Sequence, residues 1–163
     1  LPALVERGVR EGRTHYFFGG APGVPEALVA RLTARFPGMR VAGVMSPPFR
    51  SMSAEEDDAI IEQINNAKPD YVWVGLGAPK QDFWLAEHRS RLCAPVLLAV
   101  GAAFDFHAGT RRRAPRWMQR TGTEWIYRLL TEPRRLAGRY TRVNVRFLGL
   151  VLVRAIGQSF RRR

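Results

Sequence analysis

Three stretches hold residue types suited to chemistry: GLGAPKQ at 75–81, GAAFDFHAGTRRRAP at 101–115 and WIYRLLTEPRRLAGRY at 125–140. Gln81 follows a Gly-Pro turn, where a side-chain amide can both donate to and accept from a nucleobase edge such as that of uracil. The same residue also fits the exposed start of a helix. Asp105 ends the apolar run PVLLAVGAAF, and a carboxylate at that depth is costly unless paired or hydrogen-bonded. It can hold a ribose hydroxyl, pair with Arg111, Arg112 or Arg113, or act as a base. Beyond it Arg113, Arg116, Arg120, Arg128, Arg134, Arg135 and Arg139 follow within a short span. Arginine forks match diphosphate oxygens, and enough converging cations stabilise a leaving diphosphate without a metal. His107 is a further candidate base. One cysteine and three scattered histidines exclude a disulfide framework and a cysteine or histidine metal cluster.

These residues must be carried by elements. THYFFGG reads as a short strand ending in a glycine turn, and VPEALVARLTARF as a helix with Leu28, Leu32 and Phe36 on one side. RVAGVMS is the next strand. Ser53 and Glu56 form a capping-box pattern that opens a helix through about Lys68, with an acidic first turn. YVWVGLG is a continuous apolar strand, as expected where both faces are covered. KQDFWLAEHRSRL is a helix starting near Pro79, and PVLLAVGAAFDF is the fourth strand, delivering Asp105 at its end. The alternation predicts an α/β fold, Rossmann-like, with a mostly parallel sheet flanked by helices. Ligands of such sheets bind beyond the carboxyl ends of the strands. Three such ends are glycine-rich, although GLGAPK lacks the third glycine of a dinucleotide fingerprint.

After Gly109 the pattern becomes helical, with breaks expected at Gly122, Pro133 and Gly138. The expected division is therefore an α/β domain over 1–109 and an Arg-rich helical appendage over 110–163. Charge divides similarly. Residues 1–92 hold 11 Lys/Arg and 11 Asp/Glu, whereas residues 93–163 hold 15 Arg against Asp105, Glu124 and Glu132, which carries the whole net charge of +12. A basic half of this kind points to phosphate, nucleic acid or an acidic membrane surface as partner. VNVRFLGLVLVRAIGQSF is too short and too charged for a membrane span; it suits a helix lying in the interface of an anionic leaflet or one packed on the domain. No signal peptide is visible at LPALVERGVREG, and the chain does not begin with Met, as a fragment or processed product would not.

In order, FFGGAPGV, FPGMRVAGVMSPPF, GLGAPKQDFW, AVGAAFDFHAGTRRRAP (with Val100 before GAAF) and GTEWIYRLLTEPRRLAGRY resemble the WecG/TagA/CpsF glycosyltransferase family, over nearly the whole chain to about Tyr140. The resemblance implies an inverting transfer of an N-acetylmannosamine-like sugar from a UDP donor to a sugar on a polyprenyl diphosphate. It further implies a place at the cytoplasmic face of the membrane, as a peripheral protein, in teichoic acid, common antigen or exopolysaccharide synthesis. It implies that Gln81 and Asp105 line the nucleotide-sugar pocket and that Arg128, Arg135 and Arg139 meet the diphosphate. From the residues themselves, no cofactor or metal is expected. Asp82 replaces the family's usual glutamate, and Gly138-Arg139-Tyr140 keeps one basic residue of the usual pair. Members carry a further N-terminal region holding the aspartate proposed as general base, so the catalytic base is expected upstream of residue 1. Its loss would expose a sheet edge and favour homo-oligomers.

Two other functions fit parts of the pattern. An inactive truncated remnant would bind nucleotide or anionic lipid without turnover. A nucleic-acid-binding protein would use the Arg-rich half with steep salt dependence and no preference for UDP. The ordered motifs favour the transferase, with no nucleic acid as partner.

Overall fold

Central strands buried on both faces organise the molecule. The structure, a computed structural model, describes residues 1–131 together with 133 and 138. The four strands are β1 (Thr14–Gly19), β2 (Arg40–Met45), β3 (Tyr71–Gly75) and β4 (Val96–Ala99). They form one sheet in the order β2-β1-β3-β4, every pair parallel. The helices are α1 (Pro2–Arg10), α2 (Val24–Arg35), α3 (Ala54–Asn66), α4 (Lys80–His88), α5 (Ala103–Ala108), α6 (Arg116–Arg120) and α7 (Glu124–Thr131). The α/β arrangement expected from the alternating pattern is thus present.

Alternate residues of β1 and β3 feed two cores, as the period of two requires. Phe17, Tyr71 and Trp73 pack with Val5 of α1, Leu28 and Leu32 of α2, and Phe104 of α5. Tyr16, Phe18, Val72 and Val74 pack with Ile60, Ile61 and Ile64 of α3 and Trp84 of α4. The continuous apolar run YVWVG is therefore explained by helices on both sides. β4 is an edge strand, and Val96 at its start is exposed.

Local signals set most boundaries. The capping box forms: Ser53 Oγ accepts from the Glu56 N–H at 3.2 Å, and Glu56 Oε2 accepts from the Ser53 N–H at 3.0 Å. Bonds from Arg50, then from the Ser53 N–H, hold the Glu56 carboxyl down at about 2. α3 ends at Asn66, two residues short of the expected Lys68, which has a φ of +46°. At the amino end of β1, Asp70 accepts from the Thr14 N–H at 2.8 Å and from Arg13 at 3.0 Å. Those bonds, the Thr14 N–H foremost, hold the Asp70 carboxyl below its usual range.

α1 was not among the expected elements. Its apolar residues Leu4, Val5 and Val9, with the preceding Leu1, recur at helical spacing against the first core. It covers His15, which is fully buried and stacked on Tyr71 with centroids 5.2 Å apart. Trp73 Nε1–H donates to His15 Nδ1 at 3.1 Å. Burial pushes the His15 pKa down, partly opposed by Asp70. A Cβ on Gly8 would lie 2.5 Å from His15 Nε2, so only glycine lets α1 approach this closely.

The fourth strand is shorter than expected. It ends at Ala99, and residues 103–108, read as its continuation, form α5. Gly101, with a φ of +50°, breaks the strand. Phe104 and Ala108 then meet the core at the i, i+4 spacing of a helix. Asp105 consequently lies in the first turn of α5 and not at a strand end.

The chain divides into two compact units, Leu1–Arg112 and Arg113–Arg163. Within the second, α6 and α7 are separated at Gly122 (φ +72°), as expected. Pro133 and Gly138, read as breaks, are themselves helical. Trp117, Trp125 and Leu130 are exposed. Arg113 stands 4.0 Å from Glu124, the outer limit of an ion pair. No helix among the described residues is long and apolar enough to cross a membrane.

Candidate active site

The order β2-β1-β3-β4 reverses direction at β1. The connection after β1 runs to α2 on one face, and that after β3 runs to α4 on the other. Their divergence opens a crevice beyond the carboxyl ends of β1 and β3, the position at which open α/β sheets bind ligands.

Glycines build this crevice by allowing close approach. Gly19 and Gly75 are register partners, and a Cβ on Gly19 (φ +121°) would lie 2.6 Å from the Gly75 carbonyl carbon. The Gly20 N–H donates to the Gly75 carbonyl at 3.0 Å, tying the first glycine turn to the end of β3. A Cβ on Gly75 would meet the Phe104 ring at 2.5 Å, so α5 packs directly over the strand end.

Gln81 sits in the first turn of α4, after Gly77 and the cis Ala78–Pro79 bond. It is buried, which separates it from the exposed helix-start alternative. Its Oε1 accepts from the Gly77 N–H at 3.2 Å. A Cβ on Gly101 would come within 3.0 Å of the same oxygen. The carbonyl half of the amide is thus fixed, while its Nε2 donates to no group among the described residues. A buried amide held by one end, with donors to spare, is suited to reading an acceptor on a ligand.

Asp105 is half-buried and engaged by its own loop. Arg111 Nε lies 3.6 Å from Oδ1, and Thr110 Oγ1 donates to the backbone carbonyl of Asp105 at 3.2 Å, with Oδ1 at 3.4 Å. Pairing with Arg111, one of the roles open from sequence, is therefore present. His107 lies in the last turn of the same helix and is half-buried. Arg128 is on α7, in the second unit, whereas Gln81 and Asp105 share the first. Arg135 and Arg139 lie outside the described residues.

A cavity of about 410 Å³ lies along α3 and α4, among Met52, Asp57, Trp84, His88 and Arg91. Its charged groups are largely satisfied by one another: Arg91 pairs with Asp57 at 2.8 Å and with Asp58, and His88 bonds Asp57. It is thus a poorer ligand site than the glycine-walled crevice. Sequence reasoning did not single out His88 or Asp57. The helical spacing of Gln81, Trp84 and His88 on one stripe of KQDFWLAEH was the available signal. Among the described residues no group of three or more His, Cys, Asp or Glu is placed to hold a metal ion.

Comparison with known proteins places these features in a lineage. The glycosyl transferase WecG/TagA/CpsF family matches residues 1–161. An N-acetylglucosaminyldiphosphoundecaprenol N-acetyl-beta-D-mannosaminyltransferase of Bacillus spizizenii is 30% identical over 133 residues, covering 82% of this chain and 50% of the relative. Its namesake in Staphylococcus aureus is 31% identical over 121 residues, covering 74% of this chain and 46% of the relative. The chain thus spans about half the length of the curated relatives it matches. With the parallel sheet, the glycine-walled crevice and the match over residues 1–161, the chain belongs to the WecG/TagA/CpsF family of glycosyltransferases.

Proposed function

We propose that this chain carries the nucleotide-sugar-binding part of an inverting glycosyltransferase. That enzyme moves an N-acetylmannosamine-like sugar from a UDP donor to a sugar on a polyprenyl diphosphate. The observation that carries the reading is Gln81: buried at the reversal point of the sheet, with its carbonyl fixed by Gly77 and its amide donating to no group among the described residues. In this reading the amide meets the uracil edge. Asp105, once released from Arg111 or acting beside it, meets the ribose or sugar. The names of the relatives supply the acceptor class, a sugar on diphosphoundecaprenol.

Arg128, with Arg135 and Arg139, meets the donor diphosphate and neutralises charge as UDP leaves. The appendage from residue 110 onward faces an anionic membrane through its arginines and the exposed Trp117, Trp125 and Leu130. The protein then works as a peripheral protein on the cytoplasmic face, where the lipid-linked acceptor is presented. β4 ends the sheet among the described residues, and such an edge favours self-association.

Inverting transfer needs a base to take the acceptor hydroxyl proton. Asp105 is engaged by Arg111 and Thr110. That engagement favours a second reading, in which the chain binds nucleotide without turning it over. Calorimetric titration with UDP, and CMP as control, tests the shared part. Saturable binding to UDP alone, lost in Gln81→Ala, is expected; equal binding of both nucleotides refutes the uracil assignment. A transfer assay with a lipid-linked acceptor then separates the two readings.

A further inference from the structure

We propose that His88 and Asp57 are positioning residues for Gln81, setting the rotation of α4 and thereby the amide that the donor reading places against the base; its ligand consequence rests on that reading. The residues of α4 that are buried are Gln81, Trp84 and His88. At 3.6 residues per turn, positions seven apart fall on one stripe, within about 20° of each other. All three carry polar atoms, where a stripe used for packing alone would carry aliphatic side chains.

The lower end of that stripe is fastened. His88 Nε2 lies 2.9 and 2.8 Å from the two oxygens of Asp57, and Nδ1 lies 2.7 Å from the Trp84 carbonyl oxygen. The ring thus bridges a backbone carbonyl of its own helix and a carboxylate of α3. The imidazole stacks on the Trp84 ring, centroids 4.6 Å apart, and Trp84 in turn packs on Phe18 at 4.6 Å. Asp57 stands in the first turn of α3, which the capping box fixes, and takes a second bond from Arg91 at 2.8 Å. α4 is thereby pinned to α3 at one end, and its other end presents Gln81.

The lever is short. Side-chain tips lie about 5–6 Å from a helix axis, so a rotation of about 20° moves them by about 2 Å. The Gly77 N–H to Gln81 bond, already 3.2 Å long, has only a few tenths of an ångström before it ceases to be a hydrogen bond. Loosening at His88 is therefore felt at Gln81, although Trp84 lies between them.

Two variants of the full chain test this. His88→Leu removes both ring nitrogens and leaves Asp57 paired with Arg91. His88→Gln keeps an amide donor within reach of Asp57. Amide hydrogen exchange at Gly77 is expected to quicken at least tenfold in His88→Leu and to return towards wild type in His88→Gln, with Val72 and Trp73 unchanged. UDP affinity is expected to fall about tenfold and recover in the same pattern. A lower melting temperature in His88→Leu, with Gly77 exchange and UDP affinity both at wild-type values, would overturn the proposal and leave a structural bridge only. Failure of the wild-type chain to bind UDP would refute the donor reading, and the Gly77 amide would still decide the bridge.

Discussion

Gly101→Ala tests whether the crevice is built around Gln81. Two costs are expected, and they can be separated. The first is conformational: Gly101 has a φ of +50°, and a side chain in the left-handed region costs about 1–2 kcal/mol. The second is steric. The new Cβ would lie 3.0 Å from Gln81 Oε1, so the amide must retreat by a few tenths of an ångström. That lengthens the 3.2 Å bond from Gly77, and its loss costs about 1 kcal/mol. Gly12→Ala is the control, because Gly12 has a φ of +66° and nothing within 4 Å of an added Cβ. Thermal melts should place Gly101→Ala below Gly12→Ala by about 2–4 °C, the shift expected per kcal/mol at this chain length. Titration with UDP should show roughly fivefold weaker binding in Gly101→Ala alone, the equivalent of about 1 kcal/mol. Equal melting temperatures in the two variants, with UDP affinity unchanged, would refute the idea that Gly101 shapes the Gln81 seat.

Two further outcomes follow from local chemistry. Burial depresses the His15 pKa below its ordinary 6.5, so the unfolded chain binds the proton more readily than the native one. Stability is fully present above about pH 6.5 and falls as pH drops towards the depressed native value. Melting temperatures followed from pH 8 to pH 5 should show that decline, and His15→Asn should flatten it; an equally steep decline in the variant would assign it to other groups. Ser53→Ala removes the capping-box oxygen of α3 and should cost about 1 kcal/mol in urea denaturation. No loss there would mean that water caps the helix equally well.

Much of the frame is legible locally because it rests on local rules. Alternating strand and helix periods require a parallel sheet, the YVWVG run requires cover on both faces, and S-x-x-E starts α3 through its own backbone. The concentration of arginine after residue 92 is likewise plain in the sequence, and so were the motifs that led to the family. Tertiary structure decided what depends on distant partners. The apolar run from Pro95 to Phe106 suits strand or helix by composition; the turn at Gly101 and the pocket above Gly75 that takes Phe104 resolve it, and with it the place of Asp105. α1 gains its stability from lying over His15 and the first core, not from propensity alone. His15 and His88 look alike in sequence, scattered and single. One is sealed against Trp73 and the other bridges two helices, because strands and helices far apart in the chain bring those neighbours together.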